Sequence, residues 1–488
     1  MKTPEGKLDL QTIKELFKKN EDVLFQLYVY GKYKVHFITC DAMIDQQLLN
    51  ETVVHRVQET CSMVGEEPLE EFILNKLHIP DLQKVEAKED LITRIFNGYL
   101  ILHIEDENLT FSSNIAKKPN RSPEESRMEV LIKGPRDNFI EDISVNIALI
   151  RKRLPTNSLN VKKLELGKRS KTTVAILYMD DIASKDILKD IMSQLKKVDI
   201  DIVFSGELLL EKINKRSPIF PRNDYTGRPD FAVQALVRGR FLILVDGVAY
   251  VVITPVNLFL LLKAGEDVEY PMAFSSAERV LRIIGLMIGL ALPAFWLALT
   301  TFHQDQLPFQ LLATVVQNNS GLPLPSALEM LTMLVMFELF REAGLRLPTV
   351  IGGTISVVGG LIVGDAAIRA GLTSPAMIVV IAISTIATFT LVNQSLVTSI
   401  SIVRIILILI TSILGLFGFF ISLYFLLLYL SSIRIFGVPY MNIATDLSWS
   451  TIKKSLIRPA PKSYNERPHA LSPQDSTRIG GADDEGDN

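Results

Sequence analysis

Five charged residues stand inside or beside long apolar runs: Glu329, Glu338, Arg341, Asp365 and Arg404. A charge in lipid is costly, so each needs a partner, a headgroup or water. Two kinds of chemistry fit them. Acidic groups at the mouths of a narrow path attract cations. Opposite charges one helical turn apart pair with each other, as Glu338 with Arg341 and Glu342 with Arg346 can. Arg404 has no acid close in sequence, so its partner is on another helix or among the headgroups. Beside these charges runs VIGGTISVVGGLIVG. On a helix it sets Gly352, Ser356, Gly360 and Gly364 in one unbroken ridge of small residues, widened by Gly353, Thr354 and Gly359. Such a ridge lets backbones approach closely. Three readings follow: tight packing within one subunit, several copies lining a pore, or a glycine-broken substrate site. In the pore reading Thr354, Val358 and Leu361 share the open face.

No enzyme motif is present. The histidines (His36, His55, His78, His103, His303, His469) are scattered, with no HExxH. There is no Walker motif, GxSxG or GxGxxG. Asp180–Asp181, after the apolar run TTVAILYM, reads as a strand-end turn ahead of a metal pair. Cys40 and Cys61 give no disulfide framework and read as reduced thiols. No catalytic residue, metal site or cofactor is expected.

The elements that hold these residues fall into two parts. The 488 residues call for two or more domains. Hydrophobic residues make up 48% and mean hydropathy is +0.26, yet 22% of residues are charged. That mixture fits a half-soluble, half-membrane chain. A net charge of −3 argues against nucleic-acid binding. The start has no apolar run, which predicts no signal peptide and a first half on the cytosolic side.

Strand and helix patterns alternate up to about Tyr270 and predict an α/β region of two subdomains, residues 1–120 and 121–275, the latter including a connector. DVLFQLYVY and KYKVHFIT read as strands around Gly31, and DIVFSG reads as a later strand. NFIEDISVNIALIRKRL reads as a helix with an apolar stripe of Phe139, Ile143, Ile147 and Ile150. Its Asp142, Asn146, Arg151 and Arg153 are candidate contacts for subunit assembly. Residues 276–432 predict an all-α polytopic transmembrane domain of four to five hydrophobic segments. AMIVVIAISTIATFTLVNQSL is one span, and IVRIILILITSILGLFGFFISLYFLLLYL must tilt or project. Residues 433–488 form a basic, cytosolic tail, disordered at its end and dispensable after about Pro461. Charge placement sets Arg279, Arg282 and the tail inside. Five plain spans would instead put the two ends on opposite sides, so one segment, residues 328–340 or the glycine run, is not a plain span.

Four stretches carry a resemblance: GPRDNFIEDISVNIALIRKRL, FPRNDYTGRPDFAVQALVRGRFLILVDG, FELFREAGLRLPTVIGGTISVVGGLIVGDAAI and IRIFGVPYM. Together and in order they resemble the A subunits of GerA-type spore germinant receptors. One departure is Gly227, where the family has an acidic residue. The resemblance implies the inner membrane of a bacterial endospore. It implies a transporter-like B subunit and a lipoprotein C subunit as partners, with further copies of the chain itself and membrane lipids. It implies a nutrient germinant such as an amino acid or sugar, release of monovalent cations, and oligomerisation into a cation channel. Other classes stay open: a secondary transporter, a membrane scaffold, or a SpoVA-associated A-like paralogue. A transporter would show paired interrupted helices, and only one glycine-rich segment is visible.

Overall fold

The computed structural model describes residues 8–64, 68–117, 135, 137–213, 219–346, 363–441 and 467–477. The chain divides into two units. The first comprises Met1–Lys215, Asn223–Pro255 and Lys462–Asn488. The second comprises Arg216–Arg222 and Val256–Pro461.

In the first subdomain, β1 (Val23–Tyr30) and β2 (Tyr33–Cys40) form a hairpin with Tyr30 opposite Tyr33. With β3 (Gln83–Lys84), β4 (Tyr99–Ile104) and β5 (Leu109–Asn114) they make an antiparallel sheet ordered β1-β2-β4-β5-β3. Alternation along β2 sends Val35 and Phe37 to one face, and Ile38 and Cys40 to the other. Helices cover both faces. Helix α1 (Leu10–Leu16) and α4 (Lys88–Phe96) supply Ile13, Leu91 and Phe96 to one core. Helix α2 (Val54–Ser62), entered through a π turn, and α3 (Leu69–Lys76) supply Val57 and Ile73 to the other.

The second subdomain repeats the plan. Strands β6 (Leu159–Leu166), β7 (Thr172–Met179), β8 (Asp224–Thr226), β9 (Phe241–Val245) and β10 (Val251–Thr254) form an antiparallel sheet ordered β6-β7-β9-β10-β8. Helices α5 (Ile143–Arg153), α6 (Lys185–Leu195), α7 (Gly206–Ile213) and α8 (Pro229–Val237) complete it. Phe139, Ile143, Ile147 and Ile150 do lie in one core, beside Leu242 and Ile253. Each such side chain contributes roughly 1.5–3 kcal/mol by leaving water. DIVFSG is not a strand. Its backbone is instead bonded to the β6–β7 turn: Arg169 N and Ser170 N donate to Asp201 O, and Val203 N donates to Ser170 Oγ. The stretch MEVLIKG, whose composition also suits a strand, lies outside the described residues.

The last described segment, 467–477, packs on this subdomain. Leu471 is buried, and Gln474 N donates to Ile182 O at 2.9 Å. The expectation that everything after Pro461 lacks an anchor is therefore corrected: one leucine and paired polar groups suffice.

The second unit holds α9 (Leu258–Leu261), α10 (Met272–Phe302), α11 (Phe309–Asn319), α12 (Ser326–Arg346), α13 (Gly364–Arg369), α14 (Pro375–Thr388) and α15 (Gln394–Ser432). Strands β11 (Arg434–Ile435) and β12 (Val438–Pro439) pair after them. Helices α10 and α15 are long and apolar enough to cross a membrane. The expected span from Ala376 to Leu396 is shorter than foreseen. Helix α14 ends at Thr388, about 21 Å long at roughly 1.5 Å per residue. Asn393 then caps the next helix by accepting from Leu396 N.

Helix α15 is not one rod. Gly415 has φ 60° and ψ −143°, outside helical geometry. A Cβ on Gly418 would stand 2.9 Å from Ile410 O. Residues eight apart in a continuous helix are separated by about 12 Å. The chain therefore doubles back at Gly415 into two arms, residues 394–414 and 416–432. A Cβ on Gly415 would also lie 3.0 Å from Phe302 Cγ, so glycine serves both the turn and its contact with the end of α10.

Candidate functional site

The site begins with Pro293 in the middle of α10. Proline has no N–H, so Gly289 O loses its helix partner. Ser384 of α14 meets it: Oγ donates to Gly289 O at 2.9 Å. The same Ser384 Oγ accepts from Arg404 Nη1 at 3.0 Å. Arg404 Nη2 donates to Glu338 Oε1 at 2.7 Å, which ties α15 to α12. Glu338 Oε2 pairs with Arg341 Nη2 at 2.6 Å, and Arg341 Nη1 donates to Ser401 Oγ at 2.9 Å. One polar chain thus links α10, α14, α15 and α12.

This knot lies inside. Arg404 is 1% exposed and Ser384 is fully buried. Large apolar side chains of α15 face outward instead, among them Ile402, Leu409, Ile413, Phe417, Phe420 and Phe425. Two guanidinium groups share one carboxylate, so Glu338 has no spare charge to offer a cation. Arg341 Nε and Arg404 Nε find no partner among the described residues.

Close approach makes the knot possible. A Cβ on Gly289 would stand 2.6 Å from Thr388 Cγ2. Gly285 and Gly289 form a GxxxG spacing on α10, facing α14. The sequence reading missed this second small-residue pair, although its spacing was visible.

The other charged candidates lie apart from the knot. Glu329 is buried and accepts from Thr373 Oγ1 at 2.8 Å, Ser374 N at 2.7 Å and Ser374 Oγ at 3.1 Å. It closes the N-terminus of α14, where a carboxylate is favoured by the helix dipole. Asp365 pairs with Arg369 at 2.7 Å on an exposed face. Of the glycine ridge, Gly364 opens α13. Gly352, Gly353, Thr354, Ser356, Val358, Gly360 and Leu361 lie outside the described residues.

In the first unit, the four assembly candidates have partners inside the chain. Asp142 caps α5, accepting from Ser144 N at 2.7 Å. Asn146 is buried and bonds the backbone of Ile140 in both directions. Arg151 is fully buried against Asp22 of the first subdomain. Arg153 pairs with Asp137 at 2.7 Å and stays partly exposed. Arg151 is thus corrected from an outward contact to the lock between the subdomains, because α5 is covered on both sides: Ile147 enters one core and Ala148 the other.

A soluble α/β unit joined to a helical unit with charges inside and apolar side chains outside defines a membrane-associated protein. Comparison with known proteins fixes the kind. Residues 11–470 match the model of the Bacillus/Clostridium GerA spore germination protein family. The chain belongs to that family, the A subunits of GerA-type germinant receptors. Spore germination protein XA of Bacillus anthracis is 38% identical over 90% of each chain. The uncharacterized membrane protein YfkQ of Bacillus subtilis (strain 168) is 30% identical over 96% of this chain and 92% of that one. The crystal structure of the N-terminal domain of the A subunit of the Bacillus megaterium spore germinant receptor GerK3 is 22% identical, with a TM-score of 0.41, over 52% of this chain and 98% of that one.

Proposed function

We propose that this chain is the membrane subunit of a nutrient germinant receptor and that copies of it assemble into a ligand-gated channel for monovalent cations. It acts with a transporter-like B subunit and a lipoprotein C subunit in the inner membrane of the spore. The α/β unit faces the core, and an amino acid or sugar triggers opening. The observation that most supports this reading is the inside-out helical unit, which buries Arg404 and Ser384, pairs the partly buried Glu338 with Arg404, and shows lipid-compatible side chains outward. The conduction path is assigned to Thr354, Val358 and Leu361, with the glycines packing behind them. Apolar side chains at a constriction gate by dewetting, so a small widening opens it. The knot holds no free carboxylate and serves as a fixed strut between helices, not as a cation site.

The test is single-channel recording from the purified complex in a planar bilayer. Nutrient-dependent cation currents are expected, and Val358→Ala should conduct without nutrient. Silent bilayers from a complex that still binds nutrient would sink the channel reading.

A further inference from the structure

We propose that residues 467–477 are a clasp: a C-terminal peptide that binds a defined seat on the second subdomain and ties the end of the chain to it. The seat has two parts. At one, α8 ends with carbonyls that have no helix partner. Arg467 Nε donates to Val237 O, the last residue of α8, at 3.1 Å. A cation is favoured at a helix C-terminus, and Arg467 is 8% exposed there. At the other, the turn after β7 presents carbonyls outward. Gln474 N donates to Ile182 O at 2.9 Å, and Gln474 Nε2 donates to Ala183 O at 2.5 Å and Asp180 O at 3.2 Å.

The peptide is also folded on itself. Arg467 N donates to Ser476 O at 2.8 Å. Arg467 Nη1 donates to Asp475 O at 2.9 Å, to Asp475 Oδ2 at 2.6 Å and to Thr477 O. Ser472 takes a left-handed conformation, with φ 45°, that turns the chain. Leu471 is 2% exposed at the centre of the loop. A tail held by chance would not combine a buried leucine, a closed loop and carbonyl readout at two places. The family match ends at residue 470, so most of the loop lies beyond it.

The consequence follows from chain order. The second subdomain leads through Pro255 toward α10. The clasp leads back from α15. The second subdomain is thus tied in the chain to the helical unit both before α10 and after α15, and this double tether is the proposed route by which it acts on that unit. The docking stands without the receptor reading; only this role in signalling rests on it.

Hydrogen exchange on the full-length protein in detergent tests the docking. The amides of Arg467 and Gln474 should exchange roughly tenfold or more slower than in a free peptide of residues 462–482. Arg467→Ala with Gln474→Ala should abolish that protection while β9 and β10 keep theirs. Free-peptide rates in the wild-type protein would overturn the clasp. Truncation after residue 477 should change nothing, whereas truncation after residue 466 should match the double variant. Spores carrying the double variant at normal protein level should shift their half-maximal nutrient concentration about threefold or more. An unchanged concentration would overturn the coupling role. A gene-deleted strain that germinates normally on every nutrient would instead remove the receptor reading, and the exchange result would still decide the docking.

Discussion

Replacing Arg151 by alanine should loosen the soluble unit strongly. Its Nε donates to Asp22 Oδ2 at 2.8 Å and its Nη2 to Asp22 Oδ1 at 2.9 Å. Its Nη1 donates to Thr156 O at 2.8 Å, and the guanidinium lies 4.0 Å from the Phe96 ring centre. Arg151 is 0% exposed and Asp22 is 2% exposed. Alanine removes three donors and strands a buried carboxylate. Breaking one side of such a pair costs about 3–5 kcal/mol. Domains hold only about 5–15 kcal/mol in total, so this is a large share. At roughly 2–4 °C per kcal/mol for this size, the melting temperature should fall by about 10 °C. Arg151→Lys should recover only part, because one ammonium cannot span both carboxylate oxygens. Asp22→Leu with Arg151→Met should cost less than the two single changes added together. Urea unfolding of residues 1–255 reads all of these. If Arg151→Ala unfolds within about 1 kcal/mol of wild type, the lock is not what holds the subdomains. Reversing Arg151 and Arg153 to glutamate is expected to unfold the unit and not merely to weaken subunit assembly.

Acid should also weaken the soluble unit. Burial, and then the neighbouring His36, push His103 down to about 4, and its Nδ1 lies 2.9 Å from Thr110 Oγ1. A histidine kept neutral when folded contributes fully above its unfolded value near 6.5 and loses that contribution as pH falls toward 4. The loss is up to about 3 kcal/mol, and His103→Gln should flatten the slope of unfolding free energy against pH over that window. In the helical unit, Ser384→Ala should cost about 1–2 kcal/mol of thermal stability in detergent by leaving Gly289 O unmet. In a Pro293→Ala background, where the introduced alanine supplies the missing N–H, the same change should cost clearly less; equal costs in both backgrounds would disprove the link.

Local patterns were legible where the partner is near in sequence. The β1–β2 hairpin, the stripe of α5 and the Glu338–Arg341 pair all follow from residues a few positions apart. Arg404 was not assignable, because Glu338 is 66 residues away and α12 had to be placed first. Arg151 misled for a related reason. An arginine in the last turn of an amphipathic helix ordinarily faces water, and only the first subdomain, approaching from the other side with Asp22 and Phe96, buries it. DIVFSG has strand composition, yet its hydrogen bonds go to a turn. Propensity describes the residues; the ladder depends on what edge is free.

The doubling-back at Gly415 changes the count behind the charge conflict of five plain spans, because the last apolar run is two arms and not one helix. Nothing in ITSILGLFGFF marks a break, since a glycine among apolar residues is common in membrane helices. Three contacts give the direction of the second arm. Gly415 abuts Phe302, at the end of α10. Phe419 meets Phe295, two turns earlier in α10, with ring centres 5.4 Å apart. Beyond the arm, Leu258 N donates to Tyr440 O at 3.0 Å. The second arm thus runs back along α10, and the unit ends beside where it began. The chain leaves α12 at Arg346, yet Thr373 and Ser374 stand beside Glu329, in the first turn of α12. We propose an even number of crossings, which would bring Arg434 to the side where Arg279 and Arg282 enter, the side the basic residues choose. The charge rule and the geometry conflict only while the last apolar run is counted as one helix.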